Sequence, residues 1–207
     1  VGNIRSIKVI LTGEIVKPGT YTLPSLANVF NALYSSGGPT ENGSFRSIEL
    51  IRGGKKIANL DIYDFLMKGE MSDNLRLQDQ DIIRVPVYQS RIEIVGEVKR
   101  PGIFELRTGE SFKDLLSFAG DFTENAFKSR VKVLKNTDIE RKIADISMDK
   151  YTDYKPNTGD KYFVDRVLER FVNRVSIEGA VFRPGAYELE QGLTLSQLVR
   201  KAEGLKE

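Results

Sequence analysis

Cysteine, histidine and tryptophan are all absent from this chain of 207 residues. Without cysteine there is no disulfide and no thiol nucleophile, and without histidine there is neither a Ser-His-Asp triad nor the commonest zinc ligand. The missing cysteine leaves the compartment open, because a periplasmic protein can also do without disulfides. Long apolar runs are missing as well. No stretch of about 18 apolar residues occurs, and the opening VGNIRSIKVI lacks the charged, apolar and small-residue regions of a secretory signal. Charge of one sign is not in excess either: 31 basic residues face 29 acidic ones, so no broad field favours nucleic acid or an anionic membrane. The 40% apolar content is that of a folded globular protein.

One phrase is present three times: GEIVKPGTYTL at 13–23, GEVKRPGIFEL at 96–106 and GAVFRPGAYEL at 179–189. Pro18, Pro101 and Pro184 are 83 residues apart, and Gly13, Gly96 and Gly179 keep the same interval. A fixed period of this size marks a repeated small domain. The third copy stops soon after its phrase, so the chain reads as two domains and part of a third, a segment of a longer protein. The expected ranges are 1–89, 90–170 and 171–207. The incomplete copy, with two strands and a helix, is expected to need a neighbour for stability.

The register extends past the phrase. Val29, Ala32, Leu33 and Ser36 align with Phe112, Leu115, Leu116 and Ala119, then with Leu195, Leu198, Val199 and Ala202. Their spacing is one stripe of an amphipathic helix. Thr108 or Ser111 is the expected cap in the second copy, with an end near Gly120; Ser25 and Gly37 are assigned those tasks in the first. Then come the strands SIELIR and RVKVLK, short second helices in LDIYDFLMKG and ADISMDKY, and closing strands at 81–85 and 160–164. Each complete unit thus reads strand, loop, strand, helix, strand, short element, strand. This α+β pattern has one helix across a mixed sheet, the layout of a β-grasp domain. IRGGKK at 51–56 reads as a basic glycine turn with no aromatic platform for nucleic acid.

In the phrase itself, alternation as in RIEIVGEV gives a half-buried strand that its glycine interrupts. Pro-Gly suits the centre of a type II turn, but the twist of that turn fits a tight hairpin poorly, so a longer loop over about residues 98–102 is expected. Tyr21, Phe104 and Tyr187 begin the next strand and are expected to pack. Lys17, Arg100 and Arg183 are either solvated turn residues or contacts for a ligand or subunit. In DKYTDYKPNTGD, Tyr151 and Tyr154 could stack on sugar rings beside Asp153 and Asn157, or the stretch is simply a polar loop. Paired carboxylates could hydrolyse glycosides without histidine. Asp121 with Glu124, and Glu93 with Glu97, have no distinctive spacing and read as solvated or capping residues, so no enzyme is expected.

The pattern apolar-x-Gly-Glu/Ala-x-x-Lys/Arg-Pro-Gly-x-aromatic-x-Leu, followed by a helix and Asp-Ile-Ile-Arg-Val-Pro, resembles the SLBB family, the soluble-ligand-binding β-grasp domains. The resemblance covers all but the linkers. It implies tandem β-grasp (ubiquitin-like) domains, two complete and one partial, in the periplasmic part of an outer-membrane polysaccharide export protein. Such proteins are homo-oligomers that carry capsular polysaccharide or exopolysaccharide through a wide lumen, beside other subunits of the export apparatus. No cofactor, nucleic acid or direct membrane insertion by this segment is implied. Carbohydrate or subunit contact would fall to Lys17, Arg100, Arg183, Tyr151, Tyr154 and Asn157. A discrete soluble carbohydrate receptor is the alternative. The second copy departs from the family pattern by lacking, after Val164, the proline seen at Pro86. The N-terminal export domain and C-terminal membrane helix of such proteins are outside this sequence.

Overall fold

The computed structural model describes residues 5–70 and 72–206. The outermost ends of the expected domain ranges, residues 1–4 and 207, are therefore outside the described residues. The chain divides after Arg166 into two compact units.

The first unit holds two sheets of five strands. In the first copy these are β1 (Ser6–Gly13), β2 (Gly19–Pro24), β3 (Ile48–Arg52), β4 (Lys55–Leu60) and β5 (Ile82–Val85), with helix α1 (Val29–Ser35) after the first hairpin. In the second they are β6 (Arg91–Gly96), β7 (Gly102–Glu105), β8 (Arg130–Asn136), β9 (Arg141–Ser147) and β10 (Lys161–Val164), with α2 (Phe112–Phe118). Both sheets have the same order, β2-β1-β5-β3-β4 and β7-β6-β10-β8-β9. The first and last strands of each copy run parallel at its centre, and all other pairs are antiparallel. Mixed sheets with few helices make this an α+β protein.

Each complete copy has its own core. Val9, Leu11, Ile48, Leu50 and Ile83 of the first sheet bury against Val29, Ala32 and Leu33 of α1. Ile92, Ile94, Val131, Val133 and Tyr162 do so against Phe112, Leu115 and Leu116 of α2. Helices of seven residues are too short to persist alone, so it is this stripe that holds them. Each fully buried large side chain contributes about 1.5–3 kcal/mol.

Ser111 is the N-cap of α2: its hydroxyl accepts from the Asp114 amide while the Asp114 carboxylate accepts from the Ser111 amide, a capping box. In the first copy Asn28, three residues after the expected Ser25, does this work reciprocally with Asn31. Ser25 instead lends its carbonyl to Arg76.

Each complete copy also has a strand that the sequence pattern did not show. Gly53 and Gly54, with φ of +55° and +73°, turn β3 back into β4, as the left-handed pair of a tight hairpin requires. In the second copy ADIS belongs to β9, and the short helical turn is only Met148–Lys150. In the first it is the one-turn π-type helix Asp64–Lys68.

The second unit contains β11 (Arg174–Ile177) paired antiparallel with β12 (Gly185–Glu188), then α3 (Leu195–Lys201), capped by Thr194. Val181, Leu198 and Ala202 are buried in it, whereas Leu195 is 74% exposed. No helix among the described residues is long and apolar enough to cross a membrane.

Candidate functional site

The three repeated corners share one main-chain geometry. The amide of Lys17 donates to the carbonyl of Ser36 at 3.1 Å, Arg100 to Ala119 at 2.8 Å and Arg183 to Ala202 at 3.1 Å. These acceptors are the C-caps of α1, α2 and α3, so each corner satisfies carbonyls that a helix end leaves free. In the complete copies a threonine adds a second tie: Thr40 Oγ1 donates to Glu14 Oε2 at 2.8 Å and Thr123 Oγ1 to Glu97 Oε2 at 2.5 Å. Tied in this way, the corner stays open as a loop of five residues, 14–18 or 97–101. The expected longer loop is present; a type II turn is not. Gly19 and Gly185 have φ of +150° and +154°, Gly102 has no positive φ, and all three open the next strand.

The first glycine of the phrase has a different reason. Gly13 and Gly96 adopt φ of +86° and +91°, and a Cβ on either would lie 2.1 Å from the carbonyl oxygen of Val85 or Val164 on the parallel partner strand.

The side chains at the corners differ. Lys17 is exposed, while its carbonyl accepts from Tyr21 Oη at 2.7 Å. Arg100 reaches across to Met67 Sδ at 3.4 Å. Arg183 pairs with Glu203 at 2.7 Å, and Tyr187 Oη donates to its carbonyl. Tyr151 is buried: its ring lies 5.0 Å from that of Phe112, and its hydroxyl donates to Lys128 O at 3.0 Å. Burial pushes its pKa up to about 12. Tyr154 is half-buried, edge-on to Tyr162 with Lys135 over its ring. Asn157 is exposed in a turn held by the Asp160 carboxylate, which accepts from its amide at 3.1 Å. Tyr151 and Tyr154 thus enter one aromatic core, and Asn157 does not join them.

Three of the four carboxylates weighed for hydrolysis have structural partners. Glu93 pairs with Lys161, Glu97 with Arg166, and Asp121 accepts from the Phe122 amide. No group of three or more potential metal ligands occurs among the described residues.

The most elaborate polar cluster joins the first two copies, and it was not visible in the sequence. Arg46, 3% exposed, donates through Nε to Asp61 Oδ2 at 3.0 Å and through Nη1 to Glu110 Oε2 at 2.5 Å and Glu105 O at 3.2 Å. Its guanidinium also lies 4.8 Å from the Tyr63 ring centre and 4.9 Å from that of Phe118. Desolvation favours its neutral form, but the bonds and charges of Glu110 and Asp61 outweigh it and raise the pKa. Arg107 closes the cluster on Asp61 at 3.1 Å. Glu105, at the end of β7, is seated against the first copy by Ser44 Oγ at 2.7 Å and the Phe45 amide at 2.8 Å. Arg91 adds bonds to the carbonyls of Glu41 and Gly43. Beside the cluster is a cleft of about 750 Å³ lined by Pro39, Phe45, Tyr63, Leu66, Met67, Ile103 and Phe104, among others.

A second groove, of about 810 Å³, belongs to the second copy alone, between α2, the loop after it and the Met148–Lys150 turn. Its lining combines Phe122, Met148 and Tyr151 with Lys113 and Lys128.

Comparison with known proteins agrees with this repeat. Two curated relatives, both the polysialic acid transport protein KpsD of Escherichia coli, are 24% identical over 199 residues. The aligned region is 95% of this chain but only 35% of the length of those relatives. The SLBB domain matches at residues 8–60, 91–142 and 174–207, one segment for each copy of the phrase. Since those segments make up more than half of its length, the chain belongs to the SLBB domain family.

Proposed function

We propose that this chain is a non-enzymatic, periplasmic segment of an outer-membrane polysaccharide export protein, its SLBB copies lining or supporting an oligomeric conduit for capsular polysaccharide or exopolysaccharide. The observation that carries this reading is the alignment of nearly the whole chain with a polysialic acid transport protein, through all three SLBB segments. The structure is in keeping with a scaffold. Glu93, Glu97 and Asp121 are used in ion pairs and a turn, each copy is closed by its own main-chain corner, and the first two copies are joined by a buried junction.

We read each complete copy as a β-grasp domain, with boundaries at 1–89 and 90–170 and a partial copy at 171–207. The order β2-β1-β5-β3-β4, its parallel central pair and the helix after the first hairpin support this assignment. Lys17, Arg100 and Arg183 offer cations at equivalent corners for polymer or neighbouring subunits.

The test is a replacement strain in which the segment is removed in frame from the full-length protein. Polysaccharide should then accumulate inside the envelope while its synthesis continues. Normal surface polysaccharide would refute the reading. Sedimentation of the intact protein tests the conduit: a stable multimer is expected, and a monomer at micromolar concentration overturns that part.

A further inference from the structure

The face beside the helix end has two different fates in the first unit. In the first copy it is covered by the second: Pro39 and Phe45 meet Ile103 and Phe104 of β7 around the junction cleft, and the Glu105 carboxylate is seated on the Ser44 hydroxyl and the Phe45 amide. In the second copy the residues 83 positions on, Phe122 for Pro39 and Lys128 for Phe45, line the open groove of about 810 Å³. The groove therefore has the same place in the repeat as a face already known to hold a carboxylate.

The chemistry of that seat has changed between the copies. Ser44 and Arg46, which clamp one fixed glutamate strand, correspond to Phe127 and Ser129. In place of the buried planar guanidinium there are two ammonium groups, Lys113 and Lys128, both exposed and in no ion pair among the described residues. Lysine is a mobile point charge that follows a carboxylate through many positions, whereas arginine fixes one geometry. The one acid in the lining, Asp121, accepts from the amide of Phe122 at 2.7 Å. Phe122, Met148 and the edge of Tyr151 supply an apolar floor, with the hydroxyl-bearing Ser117 and Thr152 at the lining. A strand with one carboxylate at a set depth is served by the first seat. A pliable chain with carboxylates and C–H faces in repetition is served by the second.

We propose that this groove binds a carboxylated oligosaccharide, the ammonium groups of Lys113 and Lys128 holding the carboxylate and the Phe122 floor holding a sugar face. The choice of a saccharide rests on the export reading above. Open sites held by exposed charges bind weakly and respond to salt, which suits a polymer that must move on.

The experiment is an NMR titration of the whole chain with a sialic acid tetramer, with maltotetraose and tetraglutamate in parallel. Salt-sensitive shifts at the Phe122, Lys128 and Tyr151 amides are expected with the tetramer, and none with maltotetraose. The double variant Lys113→Gln/Lys128→Gln should bind about tenfold more weakly, and because both side chains are exposed its unliganded spectrum should stay that of the folded parent. Equal binding of the neutral sugar, unchanged binding by the double variant, or tighter binding of tetraglutamate at the same amides would each overturn the proposal. If the tetramer fails to bind while removal of the segment still blocks export, the groove assignment falls and the export reading stands.

Discussion

Replacing Arg46 with alanine should loosen the first copy from the second without touching either core. Arg46 is 3% exposed and its partner Asp61 4%, so the variant leaves a carboxylate buried with part of its compensation gone. Such a loss costs about 3–5 kcal/mol. Arg107 still reaches Asp61 at 3.1 Å, and the Glu110 side chain is 22% exposed and can return to water, which places the expected cost near ~3 kcal/mol. With a urea slope of about 2 kcal/mol per molar, the midpoint should fall by about 1.5 M. Circular dichroism follows the whole unit, and hydrogen exchange separates β1–β5 from β6–β10. The parent should protect both sheets to the same level, whereas the variant should show two levels. A double variant, Arg46→Met with Asp61→Asn, removes the charge pair together and keeps an acceptor for the Tyr63 amide, bonded to Asp61 Oδ1 at 2.8 Å. It should cost less than the single one. A single variant within about 0.5 kcal/mol of the parent, well below what a broken buried pair costs, or a double variant worse than the single, would refute the reasoning.

Gly96→Ala drives a methyl group into Val164 O and should cost more than about 3 kcal/mol in thermal unfolding, beyond the ~1–2 kcal/mol of left-handed backbone alone. Gly179→Ala, where φ is +95° but nothing lies within 4 Å, should show only that smaller strain. Asn28→Ala should lose about 1 kcal/mol as an N-cap, while Ser25→Ala changes stability little; equal effects would refute the cap assignment. In alkaline titration Tyr151 and Tyr162, whose pKa values burial raises, should remain protonated at pH 11, where an unperturbed tyrosine is already ionised. Because their folded values are above the unfolded one, this stability is complete below pH 10 and declines as pH rises toward 12. Ultraviolet absorbance at 295 nm reads the ionisation, and all tyrosines titrating together in the folded protein would refute it.

The sequence showed best what repeats with a strong period. The helix stripes and the corner loops could be placed because Val29, Ala32 and Leu33, or Phe112, Leu115 and Leu116, recur at helical spacing and fill a core. The strands β4 and β9 escaped because edge strands with one face in water lack that signal: in Lys55–Leu60 only Leu60 is buried. The sequence does not choose Asn28 over Ser25, because either residue type caps a helix and only the path of the chain selects one. The Arg46 cluster was least visible. Its members come from separate elements, and the 83-residue register hides them by aligning Ser44 with Phe127 and Arg46 with Ser129. Those mismatches are themselves the signal that could have found it. Where a repeat departs from itself in polarity, the copies have different neighbours. The aromatic loop failed in the opposite way: Tyr151 and Tyr154 are in a polar stretch, yet their rings complete the core around Phe112 and Tyr162.

The parallel pairing of first and last strands also governs how a copy would respond to tension. β1 and β5 are joined through Ile10–Ile82, Leu11–Ile83, Thr12–Arg84 and Gly13–Val85, and β6 and β10 through the same kind of ladder. A pull applied where the chain enters and leaves a copy runs along both strands in opposite directions. It loads the whole ladder in shear, so the hydrogen bonds must break together instead of peeling one by one. Gly13 and Gly96, by letting the strands close to contact at the end of each ladder, complete a mechanical clamp. The first two copies are thus built to carry load along the chain, a property that melting in solution would not register.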